Sequence, residues 1–238
     1  MDTTTTISSR TQAVRAAWTQ VLPVVLGYLP IGFAYGILAR QSGLSTANTL
    51  IMSLLVYAGS AQLIAVGLLG AGVSPISVII TTLIVNLRHL LMSAALAPYL
   101  KHWRKALIPL FSFELTDETF GLHSVSFPEH GAPPGQTLLI NVIAQSAWVA
   151  GTLLGVFAGN LITDVRPFGL DYALAGMFAA LLVFQVKTAR IALIAALSGA
   201  LSTLLLLSGA SHWNVIIATL VAATCGVLIE TWTKKSSS

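Results

Sequence analysis

The sequence contains few charged residues. Only 8% of its 238 residues are Asp, Glu, Lys or Arg, against about 25% in an ordinary soluble domain, while 55% are hydrophobic. A water-soluble surface cannot be built from this composition, which excludes an ordinary soluble domain. The 12 basic residues are scattered through short connections and form no basic block, so the net charge of +4 indicates membrane topology rather than nucleic-acid binding.

Cysteine, a signal peptide and enzyme motifs are also scarce or missing. The single cysteine, Cys225, excludes an intrachain disulfide and a cluster of cysteine ligands around a metal. Residues 1–15 are polar and lack the apolar core of a cleavable signal peptide, so the first apolar segment is expected to direct insertion itself. HExxH and GxSxG are absent, which argues against an intramembrane enzyme. We predict no catalytic residues, metal or cofactor.

What the sequence has instead is a series of apolar segments. Each is about 18 to 26 residues long, and a helix needs about 20 residues to cross a hydrocarbon core of about 30 Å. We therefore predict an all-α protein, a polytopic bundle of transmembrane helices in a single membrane domain over residues 1–238. The seven clear segments are residues 16–39, 46–71, 75–99, 136–160, 168–186, 191–208 and 213–230.

An eighth segment, residues 104–125, is ambiguous because its apolar residues are mixed with three acidic residues and a histidine. It could be an eighth span, a broken span or an interfacial helix. With seven spans, eight Lys and Arg residues collect on one side and three on the other, which would place the C-terminus in the cytoplasm. With eight spans the split is six to five and decides nothing, so we favour seven.

A polar segment rich in Pro and Gly, FPEHGAPPGQ at residues 127–136, stands in mid-chain. We predict that it links two halves, about residues 16–126 and 136–238. The first half contains PIGFAYG from Pro30 and the second WVAGTLLG from Trp148, and the shared glycine spacing suggests an inverted repeat with a solute site between the halves. Such spacing of small residues is also common where membrane helices simply pack together.

Prolines and glycines are concentrated in the first segment. Proline removes a backbone donor and glycine tolerates non-helical angles, so we predict a broken first helix, kinked or unwound between Tyr28 and Gly32. Unwound backbone would present helix ends to a solute's ammonium or carboxylate, with Tyr28, Pro30 and Gly32 as contacts. The alternative is a packing kink at which glycines admit a neighbouring helix. The residues concerned are Pro23, Gly27, Pro30, Gly32 and Gly36.

The second segment combines glycine with hydrogen-bonding side chains. Ser53, Tyr57 and Ser60 have the spacing of one helical face, and YAGSAQ spans residues 57–62. We predict that Tyr57, Gly59 and Gln62 line a solute path. Serines also join membrane helices without any role in transport, which is the alternative for Ser53 and Ser60.

The third segment carries Arg88 near its middle, beside Asn86 and His89. Arginine at this depth costs about 3 kcal/mol on insertion scales, so it must face a partner or a water-filled cavity. We predict that Asn86 and Arg88 contact the substrate, Arg88 through a carboxylate, and that His89 relays a proton. The alternative for Arg88 is a structural ion pair between helices.

The acidic residues of the ambiguous segment are the obvious partners for Arg88. Glu114, Asp117 and Glu118 have the spacing of one helical face. If they are buried, they are candidates for binding a coupling ion or a substrate ammonium. At the membrane interface they would simply be solvated.

The fourth clear segment has an uncharged polar stripe of Asn141, Gln145, Trp148 and Thr152. Amides can coordinate both ends of a zwitterion at less cost than a buried charge, so Asn141 and Gln145 are predicted substrate contacts. They are equally suited to hydrogen bonds between helices.

Four stretches carry a resemblance to a known family. They are LPVVLGYLPIGFAYGILARQSGLS at residues 22–45, YAGSAQ at 57–62, NLRH at 86–89 and LTDETF at 115–120. Together they resemble the AzlC-type branched-chain amino acid permeases over almost the whole chain. GLDYALAGMFAALL at residues 169–182 is similar to the family's pattern around an acidic residue that opens a span, which makes Asp171 a candidate for ion coupling.

The resemblance implies a multi-pass transporter of the bacterial inner membrane. It implies export of branched-chain or similar small neutral amino acids, driven by an ion gradient, together with a small hydrophobic membrane subunit of the AzlD type. It does not identify substrate contacts on this chain, so the predicted site rests on burial and polarity. The alternative is an accessory or scaffold subunit without a transport path of its own.

Overall fold

The computed structural model describes residues 3–159, 161–162, 188–209 and 214–235, with scattered positions between 167 and 186. These residues form helices and short connections without a strand, which confirms the predicted all-α class. The chain divides into two compact units, Met1–Phe178 and Ala179–Ser238. In the described part, four helices are long and apolar enough to cross a membrane: Val14–Gln41, Pro75–Leu100, Pro134–Gly159 and Ala189–Leu207. The predicted segment 168–186 lies largely outside the described residues.

The first helix is not broken. Helix α1, Thr3–Gln41, runs continuously through Pro23 and Pro30, so the predicted unwinding between Tyr28 and Gly32 is wrong. Each proline removes one backbone hydrogen bond, and the remaining bonds carry the helix past it.

The glycines of α1 serve helix packing instead. Helix α8, Pro134–Gly159, lies along α1 so closely that a Cβ on Gly32 would stand 2.8 Å from the carbonyl oxygen of Trp148. A Cβ on Gly151 would stand 2.6 Å from the carbonyl oxygen of Leu29. Gly36 and Gly155 form a similar contact one turn further along. Only glycine fits where two backbones touch, so the packing alternative is the correct one.

The break lies in the second apolar segment, which forms two half-helices. Helix α2, Thr46–Ile51, continues as a π-helix over Met52–Val56, and α3 begins again at Gly59–Gly70. Between them Tyr57 adopts the left-handed conformation, with φ 43° and ψ 44°. Such a conformation costs a non-glycine residue about 1–3 kcal/mol and is typical of functional sites. The helical spacing predicted for Ser53, Tyr57 and Ser60 therefore does not apply, although all three are buried.

The third apolar segment has a milder interruption. Helix α4, Pro75–Asn86, and helix α5, Arg88–Leu96, are separated by Leu87, and a short 3-10 helix follows over Ala97–Leu100. The N-terminus of α4 is capped by Ser74, whose hydroxyl accepts a hydrogen bond from the amide of Ser77. The interruption places Arg88 at the start of the second half of this span.

The ambiguous segment is a helical hairpin that returns to the side from which it starts. Helix α6, Leu107–Phe113, and helix α7, Asp117–His130, have 7 and 14 residues, about 10 Å and 21 Å of helix. The indole nitrogen of Trp103 donates to the carbonyl oxygen of Ala132 at 2.7 Å, so the two ends lie side by side. A crossing would separate them by about 30 Å, so an eighth span here is wrong.

The hairpin has its own apolar core. The rings of Trp103 and Phe111 meet edge to face with centroids 5.5 Å apart, and Phe111 and Phe127 lie 6.3 Å apart. Leu96, Leu100 and Leu115 complete this cluster. The prediction that Glu114, Asp117 and Glu118 share one helical face is wrong, because Glu114 follows the end of α6 whereas the other two open α7.

The predicted linker is mostly helical. Residues 127–130 end α7 and residues 134–136 begin α8, which leaves a turn of residues 131–133 with Gly131 at φ 71°. A positive φ combined with an extended ψ of −175° is essentially restricted to glycine. The division into halves at this point and the inverted repeat stay predictions.

The second unit contains a pair of apolar helices, α9, Ala189–Leu207, and α10, Asn214–Lys235. Thr188 caps α9 by accepting a hydrogen bond from the amide of Ile191 at 3.3 Å. A Cβ on Gly226 of α10 would stand 3.2 Å from Ile194 of α9, so the helices pack closely there. Cys225 is exposed.

Candidate functional site

Polar residues from the middles of three apolar helices surround one small cavity. Tyr28 lies 14 residues after Val14 and 13 before Gln41, the ends of its span. Arg88 lies 13 residues after the start of the span Pro75–Leu100, and Trp148 lies 14 after the start of the span Pro134–Gly159. All three line the cavity, which therefore lies near the middle of the hydrocarbon core. Polar groups at this depth are costly and mark functional sites.

Two helices, α3 and α7, begin at the same cavity. Gly59 and Ser60 line it at the start of α3, where Ala58 supplies no side-chain cap for the free backbone amides. Asp117 and Glu118 line it at the start of α7, which Thr116 caps by accepting from the amide of Thr119 at 3.4 Å. Helix N-termini carry partial positive charge and favour anions. The uncapped end of α3 is thus a place for an anionic group.

An ion pair closes one side of the cavity. Nη2 of Arg88 lies 2.8 Å from Oδ2 of Asp117, and the same nitrogen donates to the hydroxyl of Ser60. The side chains of Arg88 and Asp117 are 26% and 17% exposed. The acidic partner expected for Arg88 is therefore present, at the tip of the helical hairpin.

The second carboxylate at the cavity, that of Glu118, accepts a hydrogen bond from an uncharged side chain. The hydroxyl of Tyr28 donates to Oε2 of Glu118 at 2.7 Å and lies 2.5 Å from the hydroxyl oxygen of Thr116. Because Tyr28 has one proton to donate, Thr116 is the donor in the second contact. Within the described residues Glu118 forms no salt bridge of its own, so two carboxylates share one cation here.

Three buried donors at the cavity have no hydrogen-bond partner in the described structure. They are the hydroxyl of Tyr57, Nε of Arg88 and the indole nitrogen of Trp148. A buried polar group without a partner costs about 1–3 kcal/mol, and such groups call for an explanation. The cavity measures about 10 Å³, enough for roughly one water molecule. Three such donors among the residues that line one cavity are suited to binding a carboxylate.

A larger cleft adjoins the cavity. It measures about 230 Å³ and shares Tyr57, Ala58 and His89 with the cavity as lining residues. His89 lies between the two spaces, with its Nδ1 3.1 Å from the carbonyl oxygen of Asn86. The remaining lining residues are Val56, Asn86, Ser112, Phe113 and Leu115.

Several predicted contacts lie away from both spaces. Gly32 packs against α8, and Pro30 lies in the same helix without lining either space. Oδ1 of Asn141 lies 2.7 Å from Nε2 of His123 in α7. The side-chain amide of Gln145 donates to the carbonyl oxygen of Leu54 at 3.2 Å. These amides hold helices together, which was the alternative for them. The cavity and the cleft do not include them among their lining residues.

Gln62 stabilises the helix break rather than lining the cavity. Its amide donates to the hydroxyl of Ser53 at 3.2 Å, and Ser53 lies 2.9 Å from the hydroxyl of Thr152. Glu114 is buried beyond the end of α6 and lines neither space. Asp171 lies outside the described residues.

Four residues that line the cavity were not predicted as contacts: Ala58, Ser60, Thr116 and Trp148. Thr116 was missed although TDET has the pattern of a helix N-cap, with a hydroxyl followed three residues later by a second one. Trp148 was read as part of a polar stripe, and its indole was not assigned to the solute. Recognising the cap would have shown that a helix starts at Asp117.

Comparison with known proteins identifies relatives over most of the chain. The family model described as AzlC protein matches residues 23–162. The inner membrane protein YgaZ of Escherichia coli is 29% identical over 87% of this chain and 85% of its own length. An uncharacterized membrane protein of Archaeoglobus fulgidus is 32% identical over 94% of this chain and 97% of its own length. The branched-chain amino acid transport protein AzlC of Bacillus subtilis is 27% identical over 73% of this chain and 68% of its own length.

No solved structure matches the chain. The membrane location predicted from composition is confirmed, since the relatives are named as membrane or transport proteins and the described part contains helices able to span. The family model covers 140 of the 238 residues, counting from 23 to 162. The protein therefore belongs to the AzlC family of membrane proteins.

Proposed function

We propose that the protein exports branched-chain or similar small neutral amino acids across the bacterial inner membrane and binds them at the cavity around Arg88. The observation that carries this proposal is the set of three unpaired donors beside two carboxylates in the middle of the spans. An amino acid zwitterion has one group for each of these features. The name of the Bacillus subtilis relative supports the same substrate class.

The carboxylate of the substrate binds at the start of α3. Nε of Arg88, the indole of Trp148 and the hydroxyl of Tyr57 each offer a hydrogen bond that no described residue accepts. The backbone amides at Gly59 and Ser60 add the partial positive charge of a helix end. A hydrogen bond to a charged group contributes about 1.5–3 kcal/mol, so a few of them are enough to orient the substrate.

The ammonium of the substrate binds at the start of α7. Asp117 is already paired with Arg88, whereas Glu118 accepts from the uncharged hydroxyl of Tyr28 and forms no salt bridge within the described residues. Glu118 is therefore the carboxylate available to a second cation. Substrate and protein then form two opposite-charge contacts across the cavity.

The same carboxylate gives a route to ion coupling. A proton and an ammonium group cannot occupy Glu118 together, so loading a proton releases the substrate and loading the substrate releases the proton. This exchange couples inward proton movement to amino acid export. His89, which lines both spaces, is the group through which a proton reaches Glu118 and Asp117.

The proposal includes a small hydrophobic membrane subunit of the AzlD type as partner. The decisive experiment is counterflow of labelled valine, leucine, isoleucine and methionine in proteoliposomes that contain the chain with and without this subunit. We expect exchange of at least the branched-chain substrates when both are present. Absence of exchange for all four would contradict transport and favour a scaffold subunit.

A further inference from the structure

We propose that the cleft beside the cavity is the subsite for the substrate's side chain, and that Phe113 sets the longest side chain it accepts. This rests on the proposed function, because it concerns the same bound amino acid. The cavity and the cleft share Tyr57, Ala58 and His89, so a molecule held by its charged groups in the cavity extends directly into the cleft.

The volumes support this division of the substrate. The cavity of about 10 Å³ holds roughly one water molecule and must widen to admit the substrate's charged groups, whereas the cleft already offers about 230 Å³. An apolar protein cavity of about 150 Å³ is sufficient to bind benzene, which has six carbons. A branched side chain of three or four carbons therefore fits the cleft with space to spare.

Half of the residues that line the cleft are apolar and suit an alkyl group, whereas Tyr57, Asn86, His89 and Ser112 are polar. Val56 comes from the end of the π-helix, Ala58 from the break, and Phe113 and Leu115 from the two sides of the hairpin turn. These four side chains are apolar, and they border the part of the cleft formed by the break and the hairpin. Burying one methylene-sized group in such contacts contributes about 0.8 kcal/mol to the binding free energy. Valine, which has a larger alkyl side chain than alanine, should therefore bind more tightly.

Phe113 is the residue best placed to limit length. It is the last residue of α6, and its side chain remains 44% exposed, so it belongs to the wall of the cleft and not to the hairpin core. Phe111, two residues earlier, is fully buried in that core. Shortening Phe113 should therefore enlarge the cleft without opening the core of the hairpin.

The test measures how well unlabelled amino acids compete with labelled valine in counterflow by the protein and its partner subunit. Phe113→Ala should improve competition by tryptophan, whose side chain is larger than a benzene ring, relative to leucine by about tenfold or more, the usual scale for one or two methylene-sized groups in an apolar pocket. Ser112→Leu, a substitution in the same helix, should narrow the cleft and weaken competition by leucine relative to competition by alanine. Leu110→Ala is the matched control, since Leu110 lies in α6 with the same 44% exposure and lines neither space.

Each outcome is informative. If the unmodified protein exchanges valine but Phe113→Ala and Ser112→Leu leave all competition ratios unchanged, the subsite is wrong while the proposed function stands. If the unmodified protein exchanges no amino acid, the proposed function fails and the subsite with it. Should Phe113→Ala not fold, Phe113→Leu keeps an apolar side chain of intermediate size and is expected to show an intermediate change in the same ratio.

Discussion

The ion pair between Arg88 and Asp117 offers the sharpest separation of a transport role from a structural one. Arg88→Gln removes the guanidinium and leaves Asp117 without its cation at the centre of the spans. Asp117→Asn removes the opposite charge. The double variant Arg88→Gln with Asp117→Asn contains neither charge but retains two side chains that can hydrogen-bond to each other.

The structure sets the size of the expected effects. Removing one partner of a fully buried ion pair costs about 3–5 kcal/mol, because an uncompensated charge is left behind. The side chains of Arg88 and Asp117 are partly exposed, so we expect about 2–3 kcal/mol for Arg88→Gln. Replacing both charges is often close to neutral, so the double variant should return to within about 1 kcal/mol of the unmodified protein.

The double variant should regain stability but not transport. Arg88 contributes a charged hydrogen bond to the substrate carboxylate, and losing one costs about 1.5–3 kcal/mol, which corresponds to about 10–150-fold in affinity. The assays are thermal unfolding of the solubilised protein and valine counterflow in proteoliposomes. Arg88→Gln and the double variant should bind valine weakly, whereas only the two single variants should be unstable.

One result would refute this reasoning. If the double variant regains both stability and valine counterflow, the pair serves only to hold the hairpin against α5. The carboxylate would then bind elsewhere, and the three unpaired donors at the cavity would need another explanation.

Two further predictions concern the helix contact and the coupling carboxylate. Gly151→Ala should destabilise the solubilised protein by about 1–3 kcal/mol, because its Cβ would stand 2.6 Å from the carbonyl oxygen of Leu29. Gly135→Ala in the same helix faces open space and should change thermal stability little, and equal stability of the two variants would contradict the packing role. Glu118→Gln should abolish valine accumulation driven by an imposed pH gradient and raise the valine concentration needed for counterflow, because the glutamine cannot exchange a proton. Glu129→Gln, at the exposed end of α7, is its control, and an unchanged response of Glu118→Gln to the gradient would remove this residue from the coupling step.

Composition and the position of Arg88 could be interpreted correctly from the sequence. Charge scarcity and apolar length depend only on the chain itself, so the membrane class and the first and fourth clear spans were predictable. Arg88 could be recognised because the cost of burying arginine does not depend on the fold. The sequence indicated the group Glu114, Asp117 and Glu118 as its partner, and the structure pairs it with Asp117 of that group.

The helix break could not be located from the sequence. Pro23 and Pro30 are the usual signals of a break, yet α1 continues through both. Tyr57 adopts left-handed angles although it is not glycine, and nothing in its local sequence indicates this. The surrounding contacts impose the conformation, including the packing of Gly59 on the ring of Trp148, where a Cβ would stand 2.8 Å from the ring.

The hairpin was ambiguous for a related reason. Hydropathy measures whether a segment tolerates the membrane, and a segment that turns back tolerates it as well as one that crosses. The deciding contact joins Trp103 to Ala132, which is a tertiary interaction between the two ends of the segment. Sequence periodicity contains no information about such a contact.

The glycine contact between α1 and α8 restricts how the protein can move. With backbone against backbone at Gly32 and Gly151, no flexible side chain separates these helices to absorb sliding or rotation. We therefore expect the two helices to move as one unit in the proposed transport cycle, with access to Arg88 changed by movement of the second apolar segment and the hairpin tip relative to that unit. Spin labels on α1 and α8 would keep a constant separation through the cycle, whereas a label on α7 would move relative to both.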